Sequence, residues 1–328
     1  MSEADNAART PGRHGTYEVW FLTFTDPASG TGYWIRSTLT TSPEGARSAG
    51  AWFARFDRAD PSRTVGIHVT TREATVATNA FEVEVAGTVM RSGHAAGAIA
   101  GGGHDASWDL AYATGGPTFG ILPEALARSS LVSTHSVSPN PATRISGSVH
   151  VDDQVIALRD VPAHQGHVFG TRHAERWAWA SCSDFLGADA AIEAVTAKSR
   201  RGLFTTPYAT FVGIRWEGTW IRLARLARRP DFDLGSWRLD LESRRYRLTG
   251  RVEAPARDLI RARYEDPDGR ARSCHNSEVA SCRLALFERR PGGLEELGLL
   301  ESRGTTHAEW AGLTPARTVE RAFVEVGA

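Results

Sequence analysis

The sequence predicts an all-β protein of antiparallel barrels or sandwiches, made in two halves of similar order. Three observations carry that prediction. Short runs with period-two alternation recur between turn signals. No stretch sustains a helical apolar period with firm caps. The same sequence words recur in the same order in both halves, which is the mark of an internal duplication.

The runs follow in order. Residues 16–26, TYEVWFLTFTD, form a dense β-former run with aromatics on both faces. Residues 32–39 follow a glycine-rich turn and pair with it as a hairpin. Residues 51–57 are a third strand, closed by Asp60-Pro61. In 81–86, Phe81, Val83 and Val85 face inward and Glu82 and Glu84 face solvent. Residues 92–107 are rich in Gly and Ala and hold His94, His104 and Asp105, and 108–112 form another short strand. Residues 113–143 read as a long irregular crossing. Residues 145–149 and 154–158 read as a hairpin around Asp152 and Asp153. Two pieces, 43–51 and 188–200, have some helical character.

In the second half, Gly218-Thr219-Trp220-Ile221-Arg222 repeats the word Gly32-Tyr33-Trp34-Ile35-Arg36. Residues 246–252 match 81–89, and Cys282 to Phe287 match Trp108 to Tyr112. His307-Ala308-Glu309-Trp310 echoes the word at His173. This order places a boundary near residue 187, with units at 14–187 and 188–328.

The chain concentrates its unusual chemistry between His164 and Asp184. In an extended strand alternate side chains share a face. That puts His173, Glu175, Trp177 and Trp179 on one face, and Ala174, Arg176, Ala178 and Ala180 on the other. Large side chains projecting into a cavity, with small ones packing behind, would give this pattern. So would a Trp-rich core face with a Glu–His hydrogen bond.

Composition excludes several classes. Formal net charge is zero and the pI is about 7.2, so charge gives no reason to expect nucleic acid as a partner. Of 38 basic residues only Lys198 is a lysine, a bias that points to genome composition before phosphate chemistry. Three cysteines, without metal-ligand spacing, point to free thiols in a reducing compartment. Residues 1–13 are polar, without the apolar core of a signal peptide, and are expected to be disordered. No run approaches the roughly 18 apolar residues of a membrane span. A soluble cytoplasmic protein is expected; its oligomeric state is left open.

Other chemistries fit less well. The odd spacing of His164 and His167 splits them between strand faces, which argues against a metal triad, and HExxH is absent. Cys274 and His275 are adjacent and point apart. Asp266-Pro267-Asp268-Gly269 reads as a turn, since it lacks the spaced ligands of a calcium loop. Gly101 to Gly103 lack the Lys and helix of a phosphate loop. Arg222, Arg225, Arg228 and Arg229 read as a solvated surface.

Several words together resemble the tocopherol cyclase-like and hydroxyneurosporene synthase-like group, which includes carotenoid 1,2-hydratases and AttH-like proteins. They are Trp34 to Arg36, Trp108 to Leu110, Gly166 to Cys182, Cys274 to Ser277 and His307 to Trp310. The resemblance spans roughly residues 15–315 and rests on order and spacing more than on any one word. It implies two tandem lipocalin-like barrels and a large hydrophobic pocket, often near the contact between them. Relatives cyclise or hydrate isoprenoid double bonds, guide Diels–Alder closures, or bind lipids. Together with the strand alternation above, the resemblance gives the expected site: His173 and Glu175 as catalytic groups, with Trp34, Arg36, His104, Trp108, Asp109, His167, Arg176, Trp177, Trp179, His275 and Asn276 around the ligand. Neither cofactor nor metal is implied.

One departure matters. Carotenoid hydratases have an acid about four positions before the glycine matching Gly170, and here that position is Gly166, flanked by His164, Gln165 and His167. Protonating an alkene needs a positioned acid in a dry pocket. Buried Glu175 could substitute, but the neighbouring Arg176 works against it. The expectation is therefore binding of an isoprenoid, polyene or lipid in a barrel pocket, with a cofactor-independent cyclase, hydratase or pericyclase as the alternative. An acid aimed into the apolar pocket, from Glu175 or Asp109, would favour the enzyme.

Overall fold

The computed structural model describes residues 2–129, 132–201, 204–313 and 321–327. The first half opens with β1 (Thr16–Asp26), β2 (Thr31–Thr41), β3 (Arg47–Asp57) and β4 (Val65–Thr71). Next come β5 (Ala74–Val76), β6 (Glu82–Val85), β7 (Thr88–Arg91), β8 (His94–Gly101) and β9 (His104–Tyr112). A two-residue β10 (Phe119–Gly120) precedes the long hairpin of β11 (Thr134–Val151) and β12 (Gln154–Gly170). They form one curled sheet in the order β4-β3-β2-β1-β12-β11-β9-β8-β7-β6-β5, with β10 beside the start of β11. Its interior is filled by Trp20, Leu22, Phe24, Tyr33, Phe53, Trp108 and their neighbours.

The second sheet repeats this plan. It uses β13 (Arg176–Cys182), β14 (Ala190–Lys198), β17 (Tyr208–Trp216) and β18 (Thr219–Ala227), with a small hairpin of β15 (Arg200–Arg201) and β16 (Phe204–Thr205) between. Then follow β19 (Phe232–Asp233), β20 (Ser236–Glu242), β21 (Tyr246–Glu253), β22 (Ile260–Glu265), β23 (Ala271–Arg290) and β24 (Gly293–Ala311). The order is β18-β17-β14-β13-β24-β23-β21-β20-β19, with β22 beside the start of β23. In each half the first strand of a four-strand meander pairs with the last strand of a long hairpin, and a short strand pairs with the start of that hairpin. The halves are two lipocalin-like barrels related by duplication. The chain changes sheet between Gly170 and Arg176, ahead of residue 187. Its last strand, β25 (Val324–Val326), returns to the first sheet and lies parallel to β4.

Several local expectations are corrected. The G-x-W-I-R words fall on the second strand of the first meander (β2) and the fourth of the second (β18), so they are not equivalent positions. Residues 43–51 make a turn closed by Ser42 N–H to the Ala46 carbonyl (2.8 Å), and then β3. Residues 190–198 are β14: its alanines suit a helix in isolation, but two neighbouring strands claim its backbone. The irregular crossing ends at Thr134, ahead of residue 143. β11 runs through Pro139 and Pro141, which lack N–H groups, by shifting register on either side of Asn140.

Residues 4–13 are not free chain. After a one-turn helix, α1 (Ser2–Asp5), Asn6 is fully buried and its carbonyl accepts from Trp20 Nε1 at 2.9 Å. Arg9 N–H (2.5 Å), Thr10 N–H (3.0 Å) and Thr10 Oγ1 (2.8 Å) donate to the buried Glu18 carboxylate. His167 Nε2 meets the same carboxylate at 2.8 Å. Burial pushes Glu18 up, but the His167 contact and these donors outweigh it and hold the carboxyl below its ordinary value.

The sheets meet through outward faces. Trp34, Trp52 and Phe56 of the first pack against Trp177, Ile260, Tyr264 and Cys274 of the second. β2 approaches β23 so closely that a Cβ on Gly32 would lie 2.6 Å from the Glu278 carbonyl oxygen. Thr25 Oγ1 donates to that same oxygen at 2.5 Å.

Glu18→Ala is expected to cost on the order of 3–5 kcal/mol, because it strands several buried donors at once. Denaturant titration gives the cost, and limited proteolysis should show new cleavage within residues 4–13. Unchanged stability would mean that this segment contributes no packing.

Candidate functional site

The same alternation that fills the barrels builds a cavity between them. In β1, Trp20 and Leu22 point into the first barrel, while Val19 and Phe21 point out. In β2, Tyr33 and Ile35 point in, while Trp34 and Arg36 point out. In β13, Ala178 and Ala180 pack inside the second barrel, while Trp177 and Trp179 point out. These outward faces enclose about 720 Å³, completed by Phe211 of β17, Tyr264 of β22 and Glu309 of β24. Ile121, Leu122 and Leu126, from the β10–β11 connection and its short helix α2 (Glu124–Ala127), cover one side. The expected barrel pocket is thus an inter-barrel one.

The polar groups of the wall include Arg36, Glu309 and His173. Arg36 is 6% exposed, and its guanidinium carbon lies 4.1 Å from the Tyr264 ring centroid, 5.2 Å from Trp52 and 5.4 Å from Trp34. Its Nε is buried without a partner. Glu309 accepts from Tyr264 O–H at 3.0 Å and Trp177 Nε1 at 3.2 Å, with Cys274 Sγ at 3.7 Å. Burial, then the nearby Cys274 and Glu309, push the Tyr264 hydroxyl well above its ordinary range. His173 stacks on Tyr17 (4.1 Å between centroids), and its Nδ1 and backbone N–H both lie 2.8 Å from Asp266 Oδ1. Burial holds His173 below its ordinary value despite that carboxylate, which also pairs with Arg272.

Behind Trp179 the sheets share a polar chain. Ser181 Oγ lies 2.8 Å from His164 Nδ1, His164 Nε2 lies 3.3 Å from Ser138 Oγ, and Ser138 donates to Glu193 Oε2 at 2.6 Å. Burial pushes Glu193 up to about 7, against the opposing hydrogen bonds of Ser138 and Trp179. Burial, with His307 nearby, pushes His164 down to about 3.

The cavity brings together Trp34, Arg36, His173, Trp177 and Trp179 from the expected set. Asn276 lies just behind, its Oδ1 3.3 Å from the Tyr264 hydroxyl. The others stand elsewhere. Glu175 precedes β13 and is held by Arg200 at 2.7 Å, outside the cavity. Arg176 is on the opposite face, 5.3 Å from the Phe232 ring. Trp108 stacks on Phe53 inside the first barrel, because its strand pairs deep in that sheet. Asp109 alternates to the outer surface and pairs with His94, and His104 pairs with Asp152 at the end of a hairpin. His167 serves the Glu18 cluster, and His275 alternates away from Asn276.

Sequence reading missed Phe21, Tyr264, Glu193 and the wall position of Glu309. Glu309 was visible in the His307–Trp310 word, but nothing local shows which barrel face it meets. The Gly166 departure also has a structural counterpart. Gly166 pairs with Phe21, and a Cβ at 166 would lie 2.2 Å from the Phe21 ring. Phe21 fills the space that an acid there would need.

A family profile described as tocopherol cyclase-like matches residues 141–311, just over half of the chain. An uncharacterized protein of Mycobacterium tuberculosis is 26% identical over 305 residues, covering 92% of this chain and 88% of the relative. A crystal structure of a Nitrosomonas europaea protein described as an AttH aligns with a TM-score of 0.57 at 13% identity, over 95% of this chain and 96% of that one. Kievitone hydratase of Nectria haematococca aligns with a TM-score of 0.50 at 10% identity, over 94% and 92%. At such identities the two structures establish the shared fold.

The Glu193 shift fixes the sign of a pH effect. Its carboxyl titrates near 4.5 unperturbed and at about 7 when folded. The folded chain therefore holds an extra proton in that window. The stabilisation is complete below 4.5 and is lost as pH rises through about 7. The stability of the wild type relative to Glu193→Gln should fall by on the order of 3 kcal/mol between about pH 4.5 and pH 8. Denaturant titrations of both proteins across that range measure it; a pH-independent difference would mean an ionised Glu193 in the folded state.

Proposed function

The chain belongs to the tocopherol cyclase-like family, and from that premise we propose that it binds a hydrophobic small molecule in the cavity between its barrels. An isoprenoid, a polyene or a lipid chain fits the description. One observation carries this: about 720 Å³ walled by Phe21, Trp34, Trp177, Trp179 and Phe211, with few polar groups. That volume and composition suit a small-molecule site. Both barrel interiors are filled by their own cores, which leaves the space between them for a ligand.

A second reading, a cofactor-independent cyclase or hydratase, is favoured by Glu309. It is a carboxyl group in an apolar wall, oriented by Tyr264 and Trp177. Held there, it can give or take a proton at a bound double bond, with aromatic rings to stabilise developing positive charge. One solved neighbour is itself named a hydratase. Glu175 and Asp109 do not support the enzyme, since each is spent on a partner away from the cavity.

Titration with a conjugated polyene should quench tryptophan fluorescence saturably. Trp177→Ala should weaken that binding while melting near the wild-type temperature, because a cavity-facing ring lacks packing partners on one side. If Trp177 were ordinary core, the substitution would cost about 3–5 kcal/mol and leave no quenching to lose. For the second reading, Glu309→Gln should keep polyene affinity within a few-fold but abolish any product seen by mass spectrometry with the wild type. Product formation persisting in Glu309→Gln would remove Glu309 from the chemistry.

A further inference from the structure

We propose that Arg36 anchors a carboxylate, so that the ligand of the inter-barrel cavity is an apolar chain ending in an acid. This rests on the reading of the cavity as a ligand site and narrows the class of ligand.

Arg36 differs from the other deeply buried charged groups around it. Arg55 is equally buried, and it pairs with Asp57 at 3.0 Å and Gln154 at 2.6 Å. Arg272 pairs with Asp266, Glu18 with His167, and Glu278 with His307. Among the described residues no carboxylate lies within ion-pair distance of Arg36, and no hydrogen bond satisfies its guanidinium. A buried charge without a counter-charge is costly, and stacking on Tyr264, Trp52 and Trp34 offsets only part of that cost. The rings also fix the guanidinium in one place, so little freedom is lost when an anion meets its planar fork.

Its position suits a head-and-tail ligand. Arg36 lines the apolar cavity and also a second one of about 630 Å³ on its other side. The second is lined by polar groups such as Thr38, Thr40, Ser48 and His68. His173 and Tyr264 line both. A chain lying among Phe21, Trp177 and Trp179 would bring its terminal carboxylate to the guanidinium at this junction. Three acids of the two walls already have partners: Glu309 has Tyr264 and Trp177, Asp266 has His173 and Arg272, and Glu325 has His68. Among the described residues, Arg36 is the buried cation of these cavity walls that has no ion pair.

The test compares cis-parinaric acid with its methyl ester, both followed by tryptophan quenching. The acid should bind the wild type about 10–100-fold more tightly than the ester. Arg36→Met should erase that preference. Equal binding of acid and ester by the wild type would overturn the carboxylate inference and leave the cavity reading standing. Binding of neither probe would overturn both. A preference that survives Arg36→Met would remove Arg36 as the anchor. If Arg36→Met does not fold, titrating the wild type decides: a preference that disappears as the probe's carboxyl protonates supports the proposal, and a pH-independent one overturns it.

Discussion

Taking the outward faces of β1, β2 and β13 out of water is the constraint from which the rest of the structure follows. β1 and β2 carry large apolar side chains on both faces, with Trp20 and Leu22 backed by Val19 and Phe21, and Tyr33 and Ile35 backed by Trp34, while β13 carries its large ones, Trp177 and Trp179, outward. One barrel can bury only its inner set. The outer set leaves water by meeting a second barrel, and the duplicated chain supplies one. Close approach at Gly32 sets how near the sheets come, and the bulky rings of Trp177, Trp179 and Phe21 keep them apart further along. The cavity is the space left by that mismatch.

Joining two barrels through their sides also buries polar groups, and the chain handles them unevenly. Glu18 and Glu278 have histidine partners, and Asp266 has a histidine and an arginine. Glu193 has hydroxyl and indole partners and is pushed toward its neutral form. The Ser138–Glu193 bond ties sheet to sheet, and Glu18 anchors the N-terminal segment. At Arg36 the partners are incomplete, and the group faces the cavities.

The duplication offers a second view of the site. Gln165 sits opposite Asn140 in the first hairpin as Glu309 sits opposite Asn276 in the second. In the first barrel both side chains are satisfied internally: Asn140 donates to Gln165, which donates to Tyr112. In the second the neutral amide is replaced by a carboxyl group in the cavity wall. Related positions thus serve structure in one copy and a candidate site in the other. The word match between Trp34 and Trp220 conceals this, because those residues occupy non-equivalent strands.

Alternation in the sequence was enough to determine that the chain is all-β and that Trp177 and Trp179 share a face opposite Ala178 and Ala180. Those are local properties, since a period of two fixes which side chains point together. It also placed Phe81, Val83 and Val85 inside and Glu82 and Glu84 outside. Alternation says nothing of what a face meets. Arg36 meets Tyr264, and Trp177 meets Glu309, across separations longer than a hundred residues. Asp109 and Trp108 carried the right chemistry on a strand whose partners turned one toward solvent and the other into a barrel core, and Glu175, just ahead of β13, is held by Arg200. Packing of sheet against sheet decided the site, because the free energy of burying a face depends on the surface opposite, which lies elsewhere in the chain.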